Sequence, residues 1–228
     1  MKFQYVLFDL DGTLTESAPG ITRCVQYALR SFGIEEPDLH KLESFVGPPL
    51  NEELMRRYHL SEEQASLGVA KYRERYGKKG IFECELYPGI RELLRRCREA
   101  GLCLAVASSK PEAYVRQILG NFNIAEYFDV VCGPGLEDEK HRETGADNKA
   151  RIVRTALEEL AGAGGLTPEF RQCCAMVGDR KFDILGARRN SVTGIGVLYG
   201  YGSRQELEDA GADEIAETVP ELEMRLLA

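Results

Sequence analysis

The sequence predicts an α/β protein: a Rossmannoid three-layer α/β/α sandwich on a parallel sheet, with a small four-helix domain inserted after the first strand. Three observations lead there. Five short apolar runs, each closed by Gly, Ser or Asp, alternate with segments of helical period, the pattern of βαβ units. The stretch from Glu16 to Leu86 breaks that alternation, with helical segments and no convincing strand. Finally, 228 residues lie between one and two domains of about 150 residues each, as a core with an appendage requires.

Phe3 to Leu10 (FQYVLFDL) is β-branched and aromatic and ends at the turn signal Asp11-Gly12, so it reads as a buried strand. The inserted segment carries helical patterns around Ile21 to Phe32, Asp38 to Phe45, Asn51 to Tyr58 and Ser61 to Tyr76. Gly33, Pro37, Gly47-Pro48-Pro49 and Gly77 punctuate them. The domains are therefore 1–15 with 88–228 as core and 16–87 as insertion, joined near Thr15 to Ser17 and Leu86 to Gly89. A helix from Gly89 to Ala100 follows Pro88, and strand Leu102 to Ala107 (LCLAVA) follows Gly101. Pro111 suits the first turn of a helix reaching Phe122, and Gly120 suits its end. Strand Tyr127 to Cys132, helix Asn148 to Ala161, strand Cys173 to Val177, helix Phe182 to Asn190 and strand Thr193 to Leu198 complete the series.

Lys and Arg total 29 against 37 Asp and Glu, a net charge of −8. That field disfavours a nucleic-acid polymer or an anionic membrane as partner. Apolar runs of about six residues fall far short of a membrane span of about 20. The N-terminal apolar run stops at Asp9 with no small-residue cleavage site after it, so a cytoplasmic location is expected. Seven cysteines without a C-x-x-C pair read as reduced, small core hydrophobes.

In such a sheet ligands bind beyond the carboxyl ends of the strands. The first strand runs into Asp9-Leu10-Asp11-Gly12-Thr13, and alternation along an extended chain would aim Asp9 and Asp11 into one pocket. Two close carboxylates call for a cation or a shared proton. By itself the pair also suits turn capping. The second strand runs into Ser108, Ser109 and Lys110, hydroxyl and N–H donors at a helix start, suited to an anion, although Ser108 taken alone reads first as an N-cap. Gly178-Asp179 through Asp183 follow the fourth strand, with Asp179 and Asp183 spaced to meet on one helix face or one cation. Lys149, taken alone, reads as a solvated surface lysine.

Taken together, these residues resemble the haloacid dehalogenase superfamily of phosphohydrolases along essentially the whole chain. Asp9-Leu10-Asp11-Gly12-Thr13, Ser108, Lys149 and Gly178-Asp179 with Asp183 look like its four motifs, in order. The insertion resembles the C1-type cap of the phosphoglycolate phosphatase-like branch. The resemblance implies an enzyme that hydrolyses a small phosphorylated metabolite with Mg²⁺, as monomer or homodimer. Asp9 would be the nucleophile, giving an aspartyl-phosphate, and Asp11 the acid and base. Asp9, the Asp11 carbonyl and Asp179 would hold the metal, with Asp183 as a ligand or just behind; Ser108, Ser109 and Lys149 would bind phosphate. Lys110 reads as a second phosphate cation or a helix-start residue, and Arg180 as a cap-facing group or a structural ion pair. Candidates for leaving-group selection are Asn51, Arg23, Lys110 and Arg180, with Arg56, Tyr76, Lys78 and Lys79 behind them. The glycines of Gly200-Tyr201-Gly202-Ser203 read as turn formers. A phosphomutase resembling β-phosphoglucomutase is the near alternative, and a non-catalytic phospho-acceptor module the distant one. Dehalogenation is disfavoured by the presence of Asp11 and Asp179.

Overall fold

A computed structural model describes residues 2–136 and 145–228. The chain divides into two compact units, Met1–Thr15 with Leu86–Ala228, and Glu16–Glu85. Strand β1 (Tyr5–Phe8) opens the larger unit, and β2 (Thr15–Glu16) leads out of it. The smaller unit contains α1 (Ala18–Arg30), α2 (Leu50–Tyr58) and α3 (Glu62–Tyr76), with 3₁₀ turns at Leu39–Phe45 and Gly80–Phe82. Strand β3 (Glu85–Leu86) leads back and pairs with β2. The larger unit continues with α4 (Ile90–Glu99), β4 (Cys103–Ala107), α5 (Glu112–Asn121), β5 (Val130–Cys132) and α6 (Gly145–Ala161). It closes with α7 (Pro168–Gln172), β6 (Cys174–Gly178), α8 (Lys181–Arg189), β7 (Thr193–Val197), α9 (Arg204–Ala210), β8 (Glu214–Ala216) and α10 (Val219–Leu227).

The main sheet has six strands in the order β5-β4-β1-β6-β7-β8, parallel throughout. From β1 the chain steps outward to β4 and β5, then returns to the opposite side of β1 at β6. Right-handed crossovers therefore place α4 and α5 on one face and α6, α8 and α9 on the other. The packing agrees: α6 lies against α8, α8 against α9, and α4 against α10. Register aligns Leu7 with Ala105 and with Met176. These three side chains share a core with Ile152, Val153, Ala156 and Leu157 of α6 and Ala187 of α8. The chain reverses its direction of travel beside β1, so the carboxyl ends of β1, β4 and β6 flank the switch point where ligands of open α/β sheets bind.

The structure departs from the sequence pattern in several places: β2 and β3 pair at the ends of the stretch read as without strands, and α7, α9 and α10 lie outside the expected series; two further differences have a local cause. The segment expected as a helix over Asp38 to Phe45 is a 3₁₀ turn. Asp38 caps it by accepting from the His40 N–H at 3.1 Å, and Gly47-Pro48-Pro49 stops the run just beyond Phe45. The sixth strand, β8, was hidden because its three residues are flanked by charge; at an edge, such a strand needs only its inner side paired. All seven cysteines are free. Burial pushes the thiols of Cys97, Cys132 and Cys174 up to about 12, which suits packing and not reactivity. Among the described residues no helix is long and apolar enough to cross a membrane.

Candidate active site

Asp9 continues β1 by one residue, its N–H donating to the Val177 carbonyl at 2.9 Å. Having the parity of Leu7, it faces α6, where Lys149 shares a stripe with Ile152, Val153 and Ala156. The lysine is 1% exposed, so the solvated reading is excluded by its helix face. Its Nζ lies 2.8 Å from Asp9 Oδ1 and 2.8 Å from Asp183 Oδ1, and donates to the Ala107 carbonyl at 2.7 Å. An ammonium has three N–H donors, and here three oxygens surround it. Burial opposes its charge, but the Asp183 and Asp9 carboxylates outweigh burial and hold its pKa above the ordinary lysine value.

Asp183 sits in the first turn of α8, where its Oδ2 accepts from the Arg180 N–H at 3.0 Å. Asp179 is fully buried; its Oδ2 accepts from the Tyr201 N–H at 2.8 Å, while its Oδ1 has no hydrogen-bond partner. Asp9, Asp179 and Asp183 each offer a carboxylate oxygen within 4.8 Å of the others. Burial, reinforced by Asp183 and Asp9, raises the Asp179 pKa well above the carboxylate range. Burial likewise lifts Asp183 to about 6, with Lys149 opposing and Asp9 adding to the rise. Three carboxylates and one ammonium sum to −2 when all are ionised, the charge a divalent cation offsets. An orphaned buried oxygen in an all-carboxylate donor set fits a hard ion such as Mg²⁺.

The Asp11 carboxylate stands apart from this cluster. Asp11 lies beyond the end of β1 at Phe8, where the chain turns: Leu14 and Thr15 N–H groups both donate to the Leu10 carbonyl at 2.9 Å. Gly12 takes φ +81° in that turn, and a methyl group there would strike Asp179 Oδ2 at 2.2 Å, so this position admits only glycine. Asp11 Oδ1 instead meets Lys110 Nζ at 2.6 Å. Ser108 is buried and its Oγ accepts from the Lys110 N–H at 3.3 Å. It is not a helix cap, since α5 begins at Glu112 with Pro111 at the cap position. Ser109 is half-buried beside it. Arg180 pairs with Glu206 at 2.9 Å, the structural ion pair of its two readings.

In the smaller unit Asn51 is exposed in the first turn of α2, and Arg23 is exposed on α1, 3.6 Å from Glu83. Arg56 pairs with Glu53, and Lys78 and Lys79 are exposed beyond α3. Tyr76 is a core residue instead, buried with its ring stacked 5.1 Å from Tyr72.

The turn after β7 is what the sequence undervalues. Neither Gly200 nor Gly202 has a positive φ, so turning is not their purpose. A methyl group on Gly202 would lie 1.9 Å from the Asp179 carbonyl oxygen, and one on Gly200 would lie 2.4 Å from Asp179 Cβ. The Tyr201 N–H can reach Asp179 because both neighbours lack side chains. Tyr199 anchors the turn by donating to the Thr13 carbonyl at 3.1 Å. The G-x-G spacing was the available signal.

The haloacid dehalogenase-like hydrolase family matches this chain over residues 6–197. The chain belongs to that family. Within this hydrolase family it is 42% identical to a 5′-nucleotidase of Pseudomonas aeruginosa over 91% of this chain and 88% of that one. It is 34% identical to the tyrosine-protein kinase PtkA of Mycobacterium tuberculosis, over 96% and 71%. A crystal structure of a predicted phosphatase from Clostridium acetobutylicum superposes with TM-score 0.89 at 41% identity, covering 100% and 99%.

Two outcomes follow for the haloacid dehalogenase-like site. Protons compete for both Asp179 and Asp183, each raised above its ordinary value; for Asp183, lifted to about 6, the folded, metal-free protein binds more protons than the unfolded chain between about pH 4 and 6. That contribution to stability is lost as pH rises through the window, and a cation replaces it. The Tm increment produced by Mg²⁺ should therefore grow from about pH 5 to about pH 7; a constant or absent increment in differential scanning fluorimetry contradicts the cluster's role. Gly202→Ala should cost about 1–3 kcal/mol by overpacking and raise the Mg²⁺ concentration needed for half-maximal Tm shift. An unchanged Mg²⁺ requirement in the folded variant would remove the turn from the site.

Proposed function

We propose that this chain hydrolyses small phosphomonoesters with Mg²⁺ through an aspartyl-phosphate on Asp9, nucleoside 5′-monophosphates being the first substrates to test. One observation carries the reading: Asp9 stands at the switch point paired with a buried lysine, in a carboxylate cluster that could hold a divalent cation. Asp9, Asp179 and the Asp11 carbonyl would hold Mg²⁺, with Asp183 as ligand or support. When bound, the ion would neutralise phosphate charge and so let an anionic ester approach three carboxylates.

The chain's own groups would do the rest. Lys149 fixes Asp9 through Oδ1, leaving its other oxygen to attack phosphorus as the bond to the leaving oxygen breaks. Ion-paired with Asp9 and Asp183 and donating to the Ala107 carbonyl, Lys149 would serve the nucleophile's geometry first and phosphate second. Ser108, by its hydroxyl, and the Ser109 segment would bind the transferring oxygens. Asp11 would protonate the leaving oxygen and then take a proton from the water that releases phosphate. The unit Glu16–Glu85 would act as the cap that selects the leaving group, with Asn51 and Arg23 as its candidates.

The P. aeruginosa relative's name supports a nucleotide substrate, and the resemblance to phosphoglycolate phosphatases supports a small phosphorylated acid. The name of the relative called a tyrosine-protein kinase supports transfer to a hydroxyl as the alternative outcome. Purified protein with Mg²⁺ should release phosphate from a 5′-nucleotide panel, lose activity in EDTA and regain it on adding Mg²⁺. Asp9→Asn should fold and retain less than about 10⁻³ of that activity. Substantial turnover by Asp9→Asn, or turnover that ignores EDTA, would overturn the reading; phosphate transferred to added alcohols in preference to water would convert it to a phosphotransferase.

A further inference from the structure

Asp9 and Asp11 are two residues apart, yet each carboxylate has its own lysine. Lys149 on α6 takes Asp9 at 2.8 Å, and Lys110, in the loop after β4, takes Asp11 at 2.6 Å. The second pair is nearly as enclosed as the first, with side chains 7% and 10% exposed. The loop that carries Lys110 is fixed from three directions. The Ser108 N–H donates to the Cys132 carbonyl at 3.1 Å, and the Glu112 N–H to the Pro134 carbonyl at 3.0 Å. The Lys110 N–H is held by Ser108 Oγ. Gly133 lets the two loops touch, since a methyl group there would lie 2.5 Å from the Lys110 carbonyl oxygen. A long, flexible side chain is thereby mounted on a rigid base, which is how a group is held to a productive geometry.

We propose that Lys110 is a positioning residue for Asp11: it keeps that carboxylate out of the Asp9–Asp179–Asp183 cluster and fixes which of its oxygens handles the proton. An ammonium donates hydrogen bonds and accepts none. Asp11 Oδ1, facing Lys110, must therefore act as acceptor, and a proton on Asp11 can reside only on Oδ2. During the first transfer that proton passes from Asp11 Oδ2 to the leaving oxygen as the P–O bond breaks and the Asp9–P bond forms. Without Lys110, Asp11 is free to turn towards the metal cluster or to present the wrong oxygen. Lys110 is thus neither a phosphate ligand nor a helix-start residue. This inference rests on the proposed hydrolysis and on Asp11 as its proton donor.

Leaving-group dependence provides the test, because p-nitrophenolate departs without needing a proton whereas an alkoxide does not. The quantity to compare is kcat/KM, which reports steps up to the first phosphoryl transfer and excludes the attack of water. Lys110→Met should lower kcat/KM for an alkyl ester such as a nucleoside 5′-monophosphate by about 10²-fold, and that for p-nitrophenyl phosphate by less than about threefold. Asp11→Asn should show the same selectivity, and the double variant should be no worse than Asp11→Asn alone. Lys110→Gln, which keeps a donor, replaces Lys110→Met if the latter fails to fold by circular dichroism, and it should retain part of the alkyl-ester activity. Equal losses on both esters, or losses that multiply in the double variant, would overturn the inference and return Lys110 to phosphate binding. If Asp11→Asn itself shows no leaving-group selectivity, the assignment of Asp11 fails instead, and the two failures are thereby told apart.

Discussion

A single ammonium group, enclosed by two carboxylates and a carbonyl, ties together the end of β1, the end of β4, and helices α6 and α8. Lys149 can be buried only because it donates to the Ala107 carbonyl and forms ion pairs with Asp9 and Asp183; an unpaired buried ion would cost several kcal/mol. The dependence runs both ways. Asp9 is held at the switch point because Lys149 is there, and Asp183 combines a cap contact in α8 with a contact to Lys149. Removing any one partner strands the others in low dielectric, so the constellation behaves as one unit.

The same cluster explains how a chain of net charge −8 provides for an anionic ligand. Lys149 offsets only one of three converging carboxylates, leaving Asp179 with an orphaned oxygen and a raised pKa. The residual negative charge is localised where a hard divalent ion would sit. On the proposed function, acidic residues that the overall field would turn against phosphate would be the means of recruiting a cation that accepts it. Asp11, held on a separate lysine, keeps its carboxylate out of that arrangement although it is only two residues from Asp9.

Much of this was legible in the sequence, for identifiable reasons. Alternating short apolar runs and helical segments specify a parallel sheet, and the tight turn signal after the first strand locates the site. Asp9, Asp179 and Asp183 were readable as a convergent set because each follows a strand end. Lys149 was ambiguous in isolation: only the stripe it shares with Ile152, Val153 and Ala156 places it inward, and only the carboxylates opposite make burial tolerable. Asp11 lies past the end of β1 at Phe8, so alternation along the strand could not show that its carboxylate pairs with Lys110. Gly200 and Gly202 looked like turn formers because close approach to a distant residue, here Asp179, leaves no local sequence pattern. Strand β8 escaped notice since three residues at a sheet edge carry almost no periodic signal.

The central claim is that Asp9 is the phosphoryl acceptor beside a cation held by this carboxylate set. A crystal structure of the chain with Mg²⁺ and beryllium fluoride, which mimics a phosphoryl group on a carboxylate, tests it most directly. The account predicts beryllium bonded to the Asp9 oxygen that Lys149 does not hold, fluorines near Ser108, and Mg²⁺ contacting Asp9 and Asp179. Beryllium fluoride on another residue, or Mg²⁺ bound away from the Asp9–Asp179–Asp183 cluster, would contradict it.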